Sequence, residues 1–123
     1  MKKYEEISVS EMLKLDESEY LVIDIRDEIA FTYGTINNAV NIPQNQLDEK
    51  LGTLPKDKLL IICCKRGIIS DPVAQNMREK GFNAANLKEG YYGYMLANLK
   101  DDSDRVKDIE RSINKKFHKG IWS

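Results

Sequence analysis

The apolar residues fall into short continuous runs, separated by stretches with helical spacing or turn residues. Leu21-Val22-Ile23-Asp24-Ile25-Arg26 is apolar until charge appears at its end, and it reads as a strand. Leu59-Leu60-Ile61-Ile62-Cys63-Cys64 is the most hydrophobic run. A continuous run of this kind fits a strand buried on both faces, as in a parallel sheet. Tyr4–Ile7, Ala39–Ile42 and Ala84–Leu87 predict shorter strands, the second closed by Pro43. Ser8-Val9-Ser10-Glu11 has the form of a capping box, with Met12, Leu13 and Leu15 giving the short helix an apolar side. Leu47 to Leu54 predicts a second short helix, stopped by Pro55. Val73, Ala74 and Met77 line one side of a third, which Gly81 ends, and Tyr91 to Leu99 predicts one more. Gly34 to Asn38 and Gly90 read as turns. Strands alternating with helices imply an α/β domain with a mostly parallel sheet, over residues 1–99. Ligand sites in such sheets gather at the carboxyl ends of strands, where Cys64 lies.

Residues 100–123 have another character. Val106, Ile109, Ile113 and Phe117 form one stripe of a helix, with Asp101, Asp102 and Asp104 at its start and Lys115, Lys116 and Lys119 near its end. That order suits the helix dipole. The segment reads as a C-terminal helical extension or a linker. Ile121 and Trp122 stand near its end, which suggests a piece of a longer protein.

Composition narrows the function. A chain of 123 residues suits one core, and 19 basic against 20 acidic residues create no field favouring nucleic acid or an anionic membrane. No apolar run approaches the ~20 residues of a membrane span. Met-Lys-Lys-Tyr-Glu-Glu lacks the apolar core of a signal peptide, so a cytoplasmic setting is expected. Cys63 and Cys64 are the only cysteines, and as neighbours they cannot form a long-range disulfide. The single His, His118, is remote in sequence, so no metal site is expected, and no cofactor.

Free thiols remain as the candidate chemistry. Side chains alternate along a strand, so Cys63 and Cys64 should face opposite sides. Cys63 is expected to act as a small buried hydrophobe and Cys64 to turn into a loop. Lys65 and Arg66 follow, Gly67 permits a bend, and a helix should begin after Ser70 with Asp71 as N-cap and Pro72 at its first position. Such a loop aims backbone N–H groups inward beside a positive helix end, which favours thiolate over the ordinary thiol pKa of about 8.5. Cysteine phosphatases use a similar loop with C-x5-R, but the residue at that place is Ser70, so phosphatase chemistry is a weaker alternative.

Cys64-Lys65-Arg66-Gly67-Ile68-Ile69-Ser70 resembles the C-x-x-G-x-[RT]-[SA] loop of rhodanese-family sulfurtransferases. Val22-Ile23-Asp24-Ile25-Arg26 resembles the family's first signature strand, and Gly34 to Pro43 its G-H-I-x-G-A-x-N-I-P segment. Gly81-Phe82 and Asn86-Leu87-Lys88-Glu89-Gly90 resemble its G-[YF] and L-x-G-G stretches, so the likeness covers about residues 4–99. Thr35, Glu89 and Tyr94 depart from the usual His, Gly and Trp, and Ile69 stands where many members carry Arg. The resemblance implies a three-layer domain with helices on both faces of the sheet. It also implies a Cys64 persulfide, bound by the loop from Lys65 through Gly67, Ile68 and Ile69 to Ser70. The sulfur donor would be thiosulfate or a persulfide protein, and the acceptor a thiol or a protein. The alternative is a non-catalytic rhodanese-like interaction module.

Residues 109–123 resemble the helix that precedes the ATP-binding core of PP-loop tRNA-thiolation enzymes. The nucleotide motif of those enzymes, S-G-G-K-D-S, would lie beyond Ser123. This likeness implies a sulfur-carrying domain fused to a PP-loop domain, with ATP and RNA bound there and no direct nucleic-acid or membrane contact by the present domain.

Overall fold

A computed structural model describes residues 3–99 together with Lys107, Glu110 and Arg111. The expected C-terminal helix over 100–123 lies almost wholly outside the described residues. Five strands form one sheet: β1 (Glu6–Ile7), β2 (Tyr20–Asp24), β3 (Val40–Asn41), β4 (Leu59–Cys63) and β5 (Ala84–Leu87). Their order is β1-β5-β4-β2-β3, and each pairing is parallel. The most hydrophobic run thus occupies the centre, every residue of β4 buried.

Alternation along β4 divides the interior into two cores. Leu60, Ile62 and Cys64 face one side, with Leu47 of helix α3 (Leu47–Lys50) and Ala74 and Met77 of helix α4 (Ser70–Glu79). Leu59, Ile61 and Cys63 face the other, with Val9 and Met12 of helix α1 (Val9–Leu13). Tyr91, Tyr94 and Ala97 of helix α5 (90–99) pack on that second side. The architecture is α/β, with helices on both faces of a parallel sheet.

Local signals account for most element ends. Ser8 and Glu11 form the expected reciprocal capping box. Gly81, at φ +94°, follows the last turn of α4, where its N–H donates to Arg78 O and that of Phe82 to Met77 O. Those two bonds satisfy carbonyls that a helix end leaves bare. Leu47–Leu54 differs from one continuous helix: after α3 the chain tightens into a 3-10 turn over Leu51–Thr53.

Helix α2 (Glu28–Tyr33) has no counterpart in the hydropathy pattern. The Asp27 carboxylate caps it by accepting from Ala30 N–H at 2.8 Å. Two of its apolar residues point outward, Ile29 being 70% and Tyr33 90% exposed, and Ala30 and Phe31 are only half-buried, so no fully buried stripe marks it.

Candidate active site

Strand β4 ends at Cys63, and the next residues wrap into a loop that packs against the β5–α5 turn. Two glycines make the close approach possible. Gly67 has φ +80°, and a Cβ there would stand 2.1 Å from Lys88 O. Gly90 has φ +68°, and its Cβ would meet Lys65 O at 2.6 Å and Arg66 N at 2.7 Å. Only glycine combines that backbone conformation with the space available.

The loop's carbonyls are tied outward. The Tyr91 N–H, at the start of α5, donates to Cys64 O at 2.9 Å, and the Tyr92 N–H donates to Lys65 O at 2.9 Å. From β5, Asn86 Nδ2 donates to Gly67 O at 2.9 Å. In a trans peptide the N–H points opposite its C=O, so tying these carbonyls away frees the following N–H groups to turn toward the loop's interior.

Cys64 Sγ lies in that interior. Gly67 N–H donates to it at 3.2 Å and Ser70 N–H at 3.4 Å, while Ser70 Oγ stands 3.0 Å away. Burial by itself pushes the Cys64 thiol up. Hydrogen bonds from the Ser70 hydroxyl and from the N–H groups of Ser70, Arg66 and Gly67 outweigh it and hold the thiol below its ordinary value. Cys63 shows the opposite. Burial, and then the nearby Asp24 carboxylate, push its thiol up to about 12. The two adjacent thiols therefore differ in face, surroundings and proton affinity.

One expectation about the loop needs correction. Asp71 is not the N-cap of α4, nor does Pro72 open it. The helix begins at Ser70, its N-cap position is Ile69 without a side-chain cap, and Pro72 is the third helical residue. The Ser70 N–H, one of the first-turn donors that a helix leaves without an internal partner, donates to Cys64 Sγ. Pro72 brings no N–H that would need a partner in that first turn.

The other loop residues point out. Lys65, Arg66, Ile68 and Ile69 are exposed and, with Cys64, line an open cleft of about 360 Å³. Arg66 lies over the Tyr92 ring, its guanidinium 5.6 Å from the centroid. Among the described residues no group of three or more His, Cys, Asp and Glu side chains could hold a metal.

Two buried polar groups at the sheet's carboxyl end escaped the sequence reading as site residues. Asn86, 1% exposed, bonds both Gly67 O and the Ser70 hydroxyl. Asp24, fully buried beside Cys63, holds Arg26 at 2.7 Å. A polar residue inside an apolar strand was the available signal for each.

The chain is similar to known proteins over most of its length. The model of the rhodanese-like domain matches residues 8–97. The chain belongs to the rhodanese-like family. A putative sulfurtransferase, YtwF of Bacillus subtilis, is 33% identical over 90 residues, covering 73% of this chain and 86% of its own. The thiosulfate sulfurtransferase GlpE of Shewanella oneidensis is 30% identical over 100 residues, 80% of this chain and 99% of its own. Among solved structures, a rhodanese-related protein from Thermoplasma volcanium superposes with a TM-score of 0.71 at 26% identity, over 76% of this chain and 93% of that one.

Three departures from the rhodanese pattern make bonds within this domain. Thr35 Oγ1 donates to Asp24 Oδ2 at 2.7 Å. Glu89 Oε1 accepts from Val9 N–H at 2.9 Å, tying α1 to the β5–α5 turn. The Tyr94 hydroxyl accepts from Asn37 N–H at 3.4 Å. The fourth, Ile69, is 57% exposed at the cleft, beside Ile68 at 74%. It makes the rim apolar where Lys65 and Arg66 supply the charge.

Proposed function

We propose that this rhodanese-like protein is a sulfurtransferase that carries sulfane sulfur as a Cys64 persulfide. The observation that carries the reading is the convergence of Gly67 N–H, Ser70 N–H and Ser70 Oγ on one sulfur. Those donors stabilise negative charge on sulfur, and the exposed mouth of the loop leaves the sulfur approachable. With thiosulfate, the Cys64 thiolate attacks the sulfane sulfur. The new S–S bond forms as the donor's S–S bond breaks, and sulfite leaves with the electron pair. A thiolate acceptor then attacks the terminal sulfur, and Cys64 departs as thiolate. No separate base is needed when the attacking thiol is already ionised.

The rim suits both donor classes. Lys65 and Arg66 attract an anion, while Ile68 and Ile69 offer apolar contact suited to a protein-borne persulfide. The tail's likeness to PP-loop enzymes supports tRNA thiolation as the destination of the sulfur, with this domain as one part of a longer protein. A reading frame that continues past Ser123 into S-G-G-K-D-S supports that destination, and a native stop codon there removes it.

Intact mass after incubation with thiosulfate, or with a cysteine-desulfurase persulfide, tests the sulfur step. The expected result is one added sulfur per chain with at least one donor. No addition with either overturns the reading and leaves an interaction module.

Gly67→Ala supplies a second check. Its Cβ would press on the Lys88 carbonyl, which is backbone and cannot swing aside, at a φ that L side chains avoid. The loop must shift by an ångström or so, which costs about 100-fold in the rate of sulfur uptake. A rate within threefold of the parent would contradict the account of the loop.

A further inference from the structure

The mechanism leaves Asn86 unused, yet it touches the sulfur loop at two points. Its side chain is buried on β5, beneath the loop. Nδ2 donates to Gly67 O at 2.9 Å, which fixes which amide atom is the oxygen. Oδ1 accepts from Ser70 Oγ at 2.5 Å. Gly67 and Ser70 both donate their N–H groups to Cys64 Sγ, at 3.2 and 3.4 Å. One carboxamide therefore clamps both.

We propose that Asn86 is a positioning residue for the sulfur site, holding Gly67 and Ser70 at the spacing that aims their N–H groups at Cys64. The inference rests on the persulfide reading for its purpose, and on geometry alone for the clamp. Ser70 Oγ has a single hydrogen and two neighbours able to accept it, Asn86 Oδ1 and Cys64 Sγ. While Cys64 is a thiol, its S–H can donate to Ser70 Oγ and the Ser70 hydrogen rests on Asn86. When Cys64 is thiolate or persulfide anion, the charged sulfur is the stronger acceptor and draws the hydrogen. The hydroxyl has a partner in both states, so the loop needs no rearrangement as charge arrives on sulfur.

Asn86→Leu keeps the volume and removes both bonds. It strands the Gly67 carbonyl and, in the thiol state, the Ser70 hydroxyl in a buried place, so the loop must open to water. Opening withdraws the two N–H groups from sulfur. The charged side chains of the loop, the first turn of α4 and the β5–α5 turn (Lys65, Arg66, Asp71, Lys88 and Glu89) are unchanged, as are Cys63 and the Asp24–Arg26 pair behind the sheet. Any shift thus reports the clamp.

The test is the pH profile of Cys64 alkylation by iodoacetamide in the Cys63→Ser background. It needs no sulfur donor, so it can fail independently of the persulfide reading. Asn86→Leu should raise the midpoint by about one pH unit, equivalent to about tenfold less thiolate near neutrality. Where sulfur loads, the persulfide should also decay several-fold faster. A folded variant with an unchanged or lowered midpoint overturns the proposal, because Leu satisfies a merely space-filling role. If Asn86→Leu does not fold, the parent protein decides. The Asn86 side-chain amide resonances should titrate together with Cys64, and should cease to do so in Ser70→Ala. Resonances indifferent to Cys64 ionisation overturn the proposal equally.

Discussion

Cys64→Ser is expected to take up no sulfur at all, while Cys63→Ser loads like the parent. Two adjacent cysteines would ordinarily invite confusion about which one reacts. Here strand geometry separates them. Cys63 is the last residue of β4 and is completely buried in the core that α1 and α5 cover. Cys64 projects to the opposite side, into the loop. Proton affinity separates them further. With its thiol pushed up to about 12, Cys63 is thiolate in only about one molecule in 10⁵ at pH 7. Cys64 is held below the ordinary thiol value by the Ser70 hydroxyl and the loop N–H groups, against the effect of burial. Its reactive thiolate is present above that lowered pKa and is lost as pH falls through it. Sulfur uptake measured by intact mass should therefore decline on acidification, following the alkylation profile of Cys64. Alkylation of Cys63 should stay negligible up to strongly alkaline pH. Sulfur retained in Cys64→Ser, or lost in Cys63→Ser, would reverse the assignment.

The elements legible in the sequence are those whose side chains meet a core. The runs at β2, β4 and β5 are apolar because both faces of the sheet are covered. Alternation along β4 separates Cys63 from Cys64 in the sequence itself. Helix α2 was illegible for the converse reason, since Ile29 and Tyr33 face solvent and leave no periodic stripe. The start of α4 was misread because local rules look for a cap in the adjacent side chains. The true partner of the Ser70 N–H is a sulfur six residues back, brought there by the turn at Gly67. Asn86 and Asp24 were visible as polar residues in apolar strands, but their partners lie 16 to 19 and 2 to 11 residues away in the chain. Spacing along a strand carries no trace of such pairings. The outward-tied carbonyls are a property of the loop meeting the N-terminus of α5, and exist only once the two are packed together.

Asp24→Ala is expected to destabilise the domain strongly. Asp24 ends β2 with its carboxylate fully buried, in register with Cys63. Oδ1 accepts from the Arg26 backbone N–H and from Nε, each at 3.0 Å. Oδ2 accepts from Arg26 Nη2 at 2.7 Å and from Thr35 Oγ1 at 2.7 Å. Arg26 Nη2 also donates to Gly34 O, and its guanidinium lies 4.3 Å from the centre of the Tyr91 ring. One carboxylate thereby joins the end of β2, the turn at Gly34 and Thr35, and the first turn of α5. Tyr91 is the residue whose N–H holds Cys64 O, so the network also backs the sulfur loop. Alanine leaves a guanidinium only 13% exposed with no counter-charge. Breaking a buried pair from one side costs about 3 to 5 kcal/mol, because the remaining charge stays desolvated. The smaller end applies here, since Arg26 keeps some access to water. That loss corresponds to a fall in melting temperature of about 10 °C or more for a domain of this size. Asp48→Ala is the matched control: its pairing with Lys80 spans 3.4 Å between side chains 43% and 86% exposed, and exposed pairs of this kind contribute little. Urea titrations followed by circular dichroism should show Asp24→Ala unfolding at far lower denaturant than the parent, while Asp48→Ala unfolds together with the parent. Asn at position 24 keeps the shape and an acceptor but not the charge, and should fall between Asp and Ala. Equal stability of the Asp24→Ala and Asp48→Ala proteins would show that the buried pair does not anchor the carboxyl end of the sheet.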